Sequence, residues 1–178
     1  MPALTPEPDI PAGGKPEAAF ERAIVSEIRA LIEKSGTRPA LIPHFGLDLA
    51  VFAPSDGGTT WWFFEFKAYM GQRRDGCGFG TPKGTGPQVE LLLLPDHQLA
   101  AIDRWIRFAL MDGLRSKGER RFAWFGPLEA KGAAMNGVRR GKQNNFRVSQ
   151  LMRKPLTWDE LSAEVEEFLG LSSREGKR

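Results

Sequence analysis

The sequence is poor in residues that cross-link the chain or bind soft metals. Its 178 residues include one cysteine, Cys77, and two histidines, His44 and His97. One thiol cannot build a disulfide framework, and Cys77 with the two histidines forms no zinc-ligand spacing. A single cysteine fits a reducing compartment. Long apolar runs are missing too. The longest aliphatic run is Leu91 to Leu94, far short of the ~20 residues a bilayer helix needs. No cationic start with an apolar stretch behind it opens the chain, so the sequence predicts no signal peptide and a soluble, cytoplasmic protein. The glycine-rich stretch lacks a Gly-Lys-Ser/Thr ending, which excludes a P-loop, and there is no Gly-x-Ser-x-Gly elbow. No internal repeat is visible.

What remains is ordinary globular composition, with 41% apolar and 26% charged residues. Its length suits one domain. Residues 1–16 carry five prolines and Gly13-Gly14 and read as a flexible leader. Residues 17–171 read as the domain and 172–178 as a fraying tail. Phe20, Ile24, Ile28, Leu31 and Ile32 recur at helical spacing and predict a helix over 17–34. Strands are expected at 40–42, 44–52 and 59–67, the last two joined by the turn residues Pro54-Ser55-Asp56-Gly57-Gly58. Gly71 to Gly86 reads as a loop, and 88–94 as a short helix. Leu99, Ile102, Ile106, Leu110 and Leu114 predict one long helix over 96–114. Then follow a strand at 120–125, a basic loop over 126–144, a strand at 145–151 and a helix capped by Thr157 and Glu160. The order predicts an α/β fold with a mixed central sheet flanked by helices.

Charge is distributed unevenly. The net is only +3, yet residues 114–154 hold eleven basic side chains against Glu119 and Glu129. Such a half is either a solvated basic face or an electrostatic footprint for a polyanion.

Three ionisable residues interrupt two very apolar strands: Asp48 in Gly46-Leu47-Asp48-Leu49, and Glu65 and Lys67 in Phe63-Phe64-Glu65-Phe66-Lys67-Ala68. Residues i and i+2 of a strand share a face, so Glu65 and Lys67 point the same way. If the two strands pair through the Asp56-Gly57 turn, Asp48 falls beside Glu65. Adjacent carboxylates repel each other and attract a hard divalent cation. A neighbouring ammonium would steady a phosphate there. The plainer alternative is a buried ion pair in an ordinary sheet. Trp61, Trp62, Phe63, Phe64 and Phe66 are assigned to the core rather than to base stacking, and Trp105 and Trp158 likewise.

At these residues the chain resembles the PD-(D/E)XK nuclease superfamily, the restriction-endonuclease-like fold. The resemblance runs through Phe20-Glu21-Arg22, Gly46-Leu47-Asp48 and the Glu65-Phe66-Lys67 strand, over residues 17–68 and more loosely to Phe125. Leu47 stands where the family name has proline. The resemblance implies an αβββαβ core and a magnesium-dependent DNA endonuclease, with manganese able to substitute. Asp48, Glu65 and the Phe66 carbonyl would ligate the metal. Lys67 would orient the attacking water. Glu21 would bind a second ion or a metal water, with Glu27 the rival helix acid. Gln88 either approaches the site or stays on the surface. Arg73, Arg74 and Lys83 from one glycine-containing loop, and Arg139, Arg140 and Lys142 from the other, would hold DNA phosphates. Cutting both strands would be easiest for a homodimer. The rival expectation is a catalytically inactive nucleic-acid-binding or protein-interaction module of the same fold.

Overall fold

The computed structural model describes residues 2–10, 12–43, 46–55, 58–71, 76–80, 86–137, 139–140 and 143–171. The chain opens with α1 (Pro16–Lys34), whose first turn holds a proline where no helical donor is lost. Phe20, Ile24, Ile28, Leu31 and Ile32 form its buried stripe. An antiparallel meander follows: β1 (Ala40–Pro43), β2 (Leu49–Ser55) and β3 (Gly58–Tyr69). Two short helices, α2 (Pro87–Leu93) and α3 (Asp96–Ile102), then return the chain to β5 (Ile106–Asp112), which lies parallel to β3. Antiparallel β6 (Arg121–Phe125) completes a mixed five-stranded sheet of order β1-β2-β3-β5-β6.

Hydrophobic clusters lie on both faces. On one, α1 and α6 (Trp158–Phe168) enclose Phe20, Phe64, Phe66, Phe122 and Trp158. On the other, α2, α4 (Pro127–Met135) and a small sheet enclose Phe79, Phe108, Leu110, Phe125 and Phe146. The small sheet has the order β4-β8-β7, from β4 (Gly76–Phe79), β7 (Arg139–Arg140) and β8 (Gln143–Arg147). Among the described residues, no helix is long and apolar enough to cross a membrane.

The long helix expected over 96–114 is not formed. Its first half is α3, and its second half is the strand β5. The segment from Ile106 to Met111 is nearly all buried, because β5 is a central strand covered on both faces. A continuous apolar run of that kind fits helix and strand patterns alike. The basic loop expected over 126–144 is also corrected. Gly126 and Pro127 start α4, whose small residues Ala130 and Ala133 are buried. The strand expected at 145–151 ends at Arg147, and the short helix α5 (Val148–Leu151) continues it. The glycine-rich 71–86 segment contains β4, which pairs with β8.

Residues 2–10, expected as part of a flexible leader, lie along the body. Buried Glu27 explains this. Its carboxylate accepts from the amides of Leu4 (2.9 Å) and Thr5 (2.7 Å), the Thr5 hydroxyl, and the Ser162 hydroxyl of α6. The Trp158 indole donates to the Thr5 carbonyl at 2.7 Å, and Arg120 pairs with Glu7 and the Pro8 carbonyl. A proline-rich segment outside any ladder keeps its amides free, and a buried acid needs donors.

Candidate active site

The site forms where β2 begins late. Asp48 was expected inside a strand over 44–52. Instead it occupies the bend just before β2, with its amide donating to the Phe64 carbonyl at 3.0 Å. At that level Asp48 Oδ2 accepts the Phe66 amide at 2.7 Å. This bond fixes the carboxyl against the strand that carries Glu65 and leaves Oδ1 for another partner.

Glu65 is fully buried. Its Oε1 accepts from Lys67 Nζ and from Gln88 Nε2, the latter at 3.1 Å. Its Oε2 is buried with no hydrogen-bond partner. Burial pushes the Glu65 carboxyl up to about 7, Lys67 opposes that rise, and the Asp48 charge adds to it. Lys67 also donates to the Phe66 carbonyl at 3.2 Å and lies 3.7 Å from Glu17. The Glu65 and Glu17 charges raise its ammonium above the ordinary range against the effect of burial.

The two rival helix acids have separate fates. Glu27 is buried in the leader contact and bonds to none of these groups. Glu21 is half-buried, and its carboxyl is pushed up first by burial, then by Asp48 and Glu17, within reach of Lys67. Gln88 is in the site rather than on the surface, held by close backbone approaches. Gly46 has φ of +116°, and a Cβ there would lie 2.6 Å from Pro87 Cγ. A Cβ on Gly86 would meet Gln88 Oε1 at 2.6 Å. The glycines let the loop before Asp48 and the start of α2 close on each other. Sequence reasoning missed Glu17, which lies one helical turn before Glu21 on the same face.

A cleft of about 650 Å³ opens beside Lys67, lined by Lys15, Glu17, Tyr69, Cys77 and neighbouring glycines of β4. Burial pushes the Cys77 thiol up to about 12, so it is no nucleophile at neutral pH. Arg73, Arg74, Lys83 and Lys142 lie outside the described residues. Arg139 and Arg140 form β7, described through their backbone alone. The pairing of β4 with β8 and β8 with β7 joins the two basic loops through one small sheet. Three other basic residues of 114–154 are paired with acids: Lys117 with Asp9, Arg120 with Glu7, and Lys131 with Asp96.

Among the described residues, no group of three or more His, Cys, Asp or Glu is gathered closely enough to hold a metal ion. The set at hand is smaller and all oxygen: Asp48, Glu65 and the Phe66 carbonyl, with Glu21 behind. Two features fit a hard dication. Glu65 Oε2 is buried without a donor, and, after burial, the Asp48 charge adds to the raised proton affinity of Glu65 and of Glu21. No family model, curated protein or solved structure matches the chain.

Proposed function

We propose that this protein is a metal-dependent DNA endonuclease built on a restriction-endonuclease-like αβββαβ core. The topology supports the core: a helix, an antiparallel three-stranded meander, a helical crossover, and a strand parallel to the third. One observation carries the activity. The Asp48 carboxylate, from the bend before β2, is bonded to the Phe66 amide between Glu65 and Lys67 on β3, Lys67 is bonded to Glu65, and a buried Glu65 oxygen has no partner.

Asp48, Glu65 and the Phe66 carbonyl would hold magnesium, or manganese in its place. The bound ion would supply charge stabilisation for a five-coordinate phosphorus and a more acidic water. The chain's own residues do the positioning. Lys67 donates to the attacking water or to a non-bridging phosphate oxygen, and on ligand entry it gives up its bond to Glu65. Gln88 keeps Glu65 in its rotamer through the donor at Oε1. Glu21 supplies a second acid above Asp48, able to accept from a water. Arg73, Arg74, Lys83, Arg139, Arg140 and Lys142 hold backbone phosphates, which gives affinity without sequence choice.

The Lys67–Glu65 bond favours a second reading, a non-catalytic DNA-binding module in which the pair is structural. Plasmid nicking in magnesium, against an EDTA control, separates the two. The enzyme reading expects nicking that EDTA abolishes and a loss of about a hundredfold or more in Asp48→Ala and Lys67→Ala, with DNA binding retained. Binding without nicking in magnesium or manganese selects the module. Wild-type nicking by both variants rejects the proposed site.

A further inference from the structure

Trp61, Phe63 and Tyr69 share a face of β3 with Glu65 and Lys67. The register sets Phe52 opposite Trp61 and Ala50 opposite Phe63, with Ala40 and Ile42 of β1 beyond them. Toward β5 this face is covered by the second core cluster. Toward β1 it is open at Trp61 and Ile42, while the small Ala50 between them is buried. Trp61 is 46% exposed and Ile42 48%, whereas Trp62, pointing the other way, is buried. The expectation that Trp61 belongs to the core is thereby corrected.

The open row is ordered. The Trp61 and Phe63 rings are stacked, 6.3 Å between centroids and 17° between planes, and Phe52 packs edge-on to Trp61. A cation lies one residue from the backbone partner of Phe63. The exposed Arg104 lies 5.0 Å over the Trp105 ring, and the Trp105 carbonyl accepts the Phe63 amide at 2.7 Å. The row runs along β3 straight into the acid–lysine site. At ~3.3 Å per residue, Lys67 is about 13 Å beyond Phe63 along the strand.

We infer that this open face is a stacking platform for the bases of single-stranded DNA, which it feeds along β3 toward Lys67. Near-parallel rings at the i, i+2 repeat offer successive flat apolar surfaces to an extended strand, and any base has a face to stack on them. Arg104 supplies the charge that a phosphate between such bases meets. Paired bases in a duplex are stacked on one another and present no such faces. This substrate class rests on the endonuclease reading, and it puts unpaired strands ahead of intact duplex.

The test is fluorescence anisotropy with labelled oligothymidylate of about fifteen nucleotides, in EDTA so that nothing is cut, with a duplex of equal length alongside. Trp61→Ala should weaken single-strand binding about tenfold. Trp61→Phe, which keeps a ring, should restore most of it, and duplex binding should be unchanged. The half-exposed position lets both variants fold, which far-UV circular dichroism checks. Unchanged single-strand affinity in Trp61→Ala overturns the platform. So does an equal loss on single strand and duplex, which would report phosphate contact alone. A shift in sedimentation from dimer to monomer with single-strand affinity intact would make the face a self-association surface and also overturn it. Because binding is read without metal, failure of the nicking test leaves this result standing, and the reverse holds.

Discussion

At the scale of single residues, the fold alters the chemistry of Glu65 strongly. Its carboxyl holds a proton to about pH 7, whereas an ordinary one releases it near 4.5, and burial is the main cause. Between those values the folded protein binds more protons than the unfolded chain, so stability falls as pH rises and is level above about 7. Urea denaturation in EDTA between pH 4.5 and 8 should show that fall in the wild type and its absence in Glu65→Gln. An identical slope in both would mean that Glu65 ionises as freely as a surface acid. That Glu65 and Lys67 are neighbours was legible in the sequence, because residues two apart in a strand share a face. The identity of the helix acid was not. Glu21 and Glu27 both border the same apolar stripe, and only the leader's amides, distant in sequence, decide that Glu27 turns away from the site.

At the scale of elements, local pattern was most informative where one face is buried and least where both are. The stripe of α1 and the Thr157–Glu160 cap of α6 are found where periodicity and capping chemistry put them. Strand β5 was hidden, because its burial on both faces removes the alternation that marks a strand. Helix α4 was hidden by its glycines and by a face made of alanines too small to register as an apolar stripe. The leader was hidden for another reason: its order comes from hydrogen bonds to one buried carboxylate rather than from its own propensity. Deleting residues 2–9 would leave Glu27 with only Ser162 and strip Arg120 of its partners. Such a truncation should lose ~3–5 kcal/mol by chemical denaturation. Adding Glu27→Leu to the truncated chain should recover part of the loss, since it removes the stranded charge. A truncated chain as stable as the full one would show the leader contact to be inconsequential.

For the whole molecule, the sheet gathers the acids at one end, and the small β4-β8-β7 sheet unites loops that are about sixty residues apart in sequence. The sequence showed a basic half but not that several of its cations are spent on Glu7, Asp9 and Asp96. On the proposed endonuclease reading, the loop arginines would contribute DNA affinity. Removing one phosphate-binding cation should lower the slope of log affinity against log salt by about one. Arg139→Ala with Arg140→Ala should therefore flatten the slope by about two in filter binding, and an unchanged slope would remove these residues from the interface. The proposed function requires Asp48 and Glu65 jointly to hold one hard dication beside Lys67. It is tested most directly by crystals soaked in manganese and read by anomalous diffraction. A peak ligated by both carboxylates, with Lys67 released from Glu65, is the expected result. No peak between them, with Lys67 still bonded to Glu65 at saturating manganese, would contradict it.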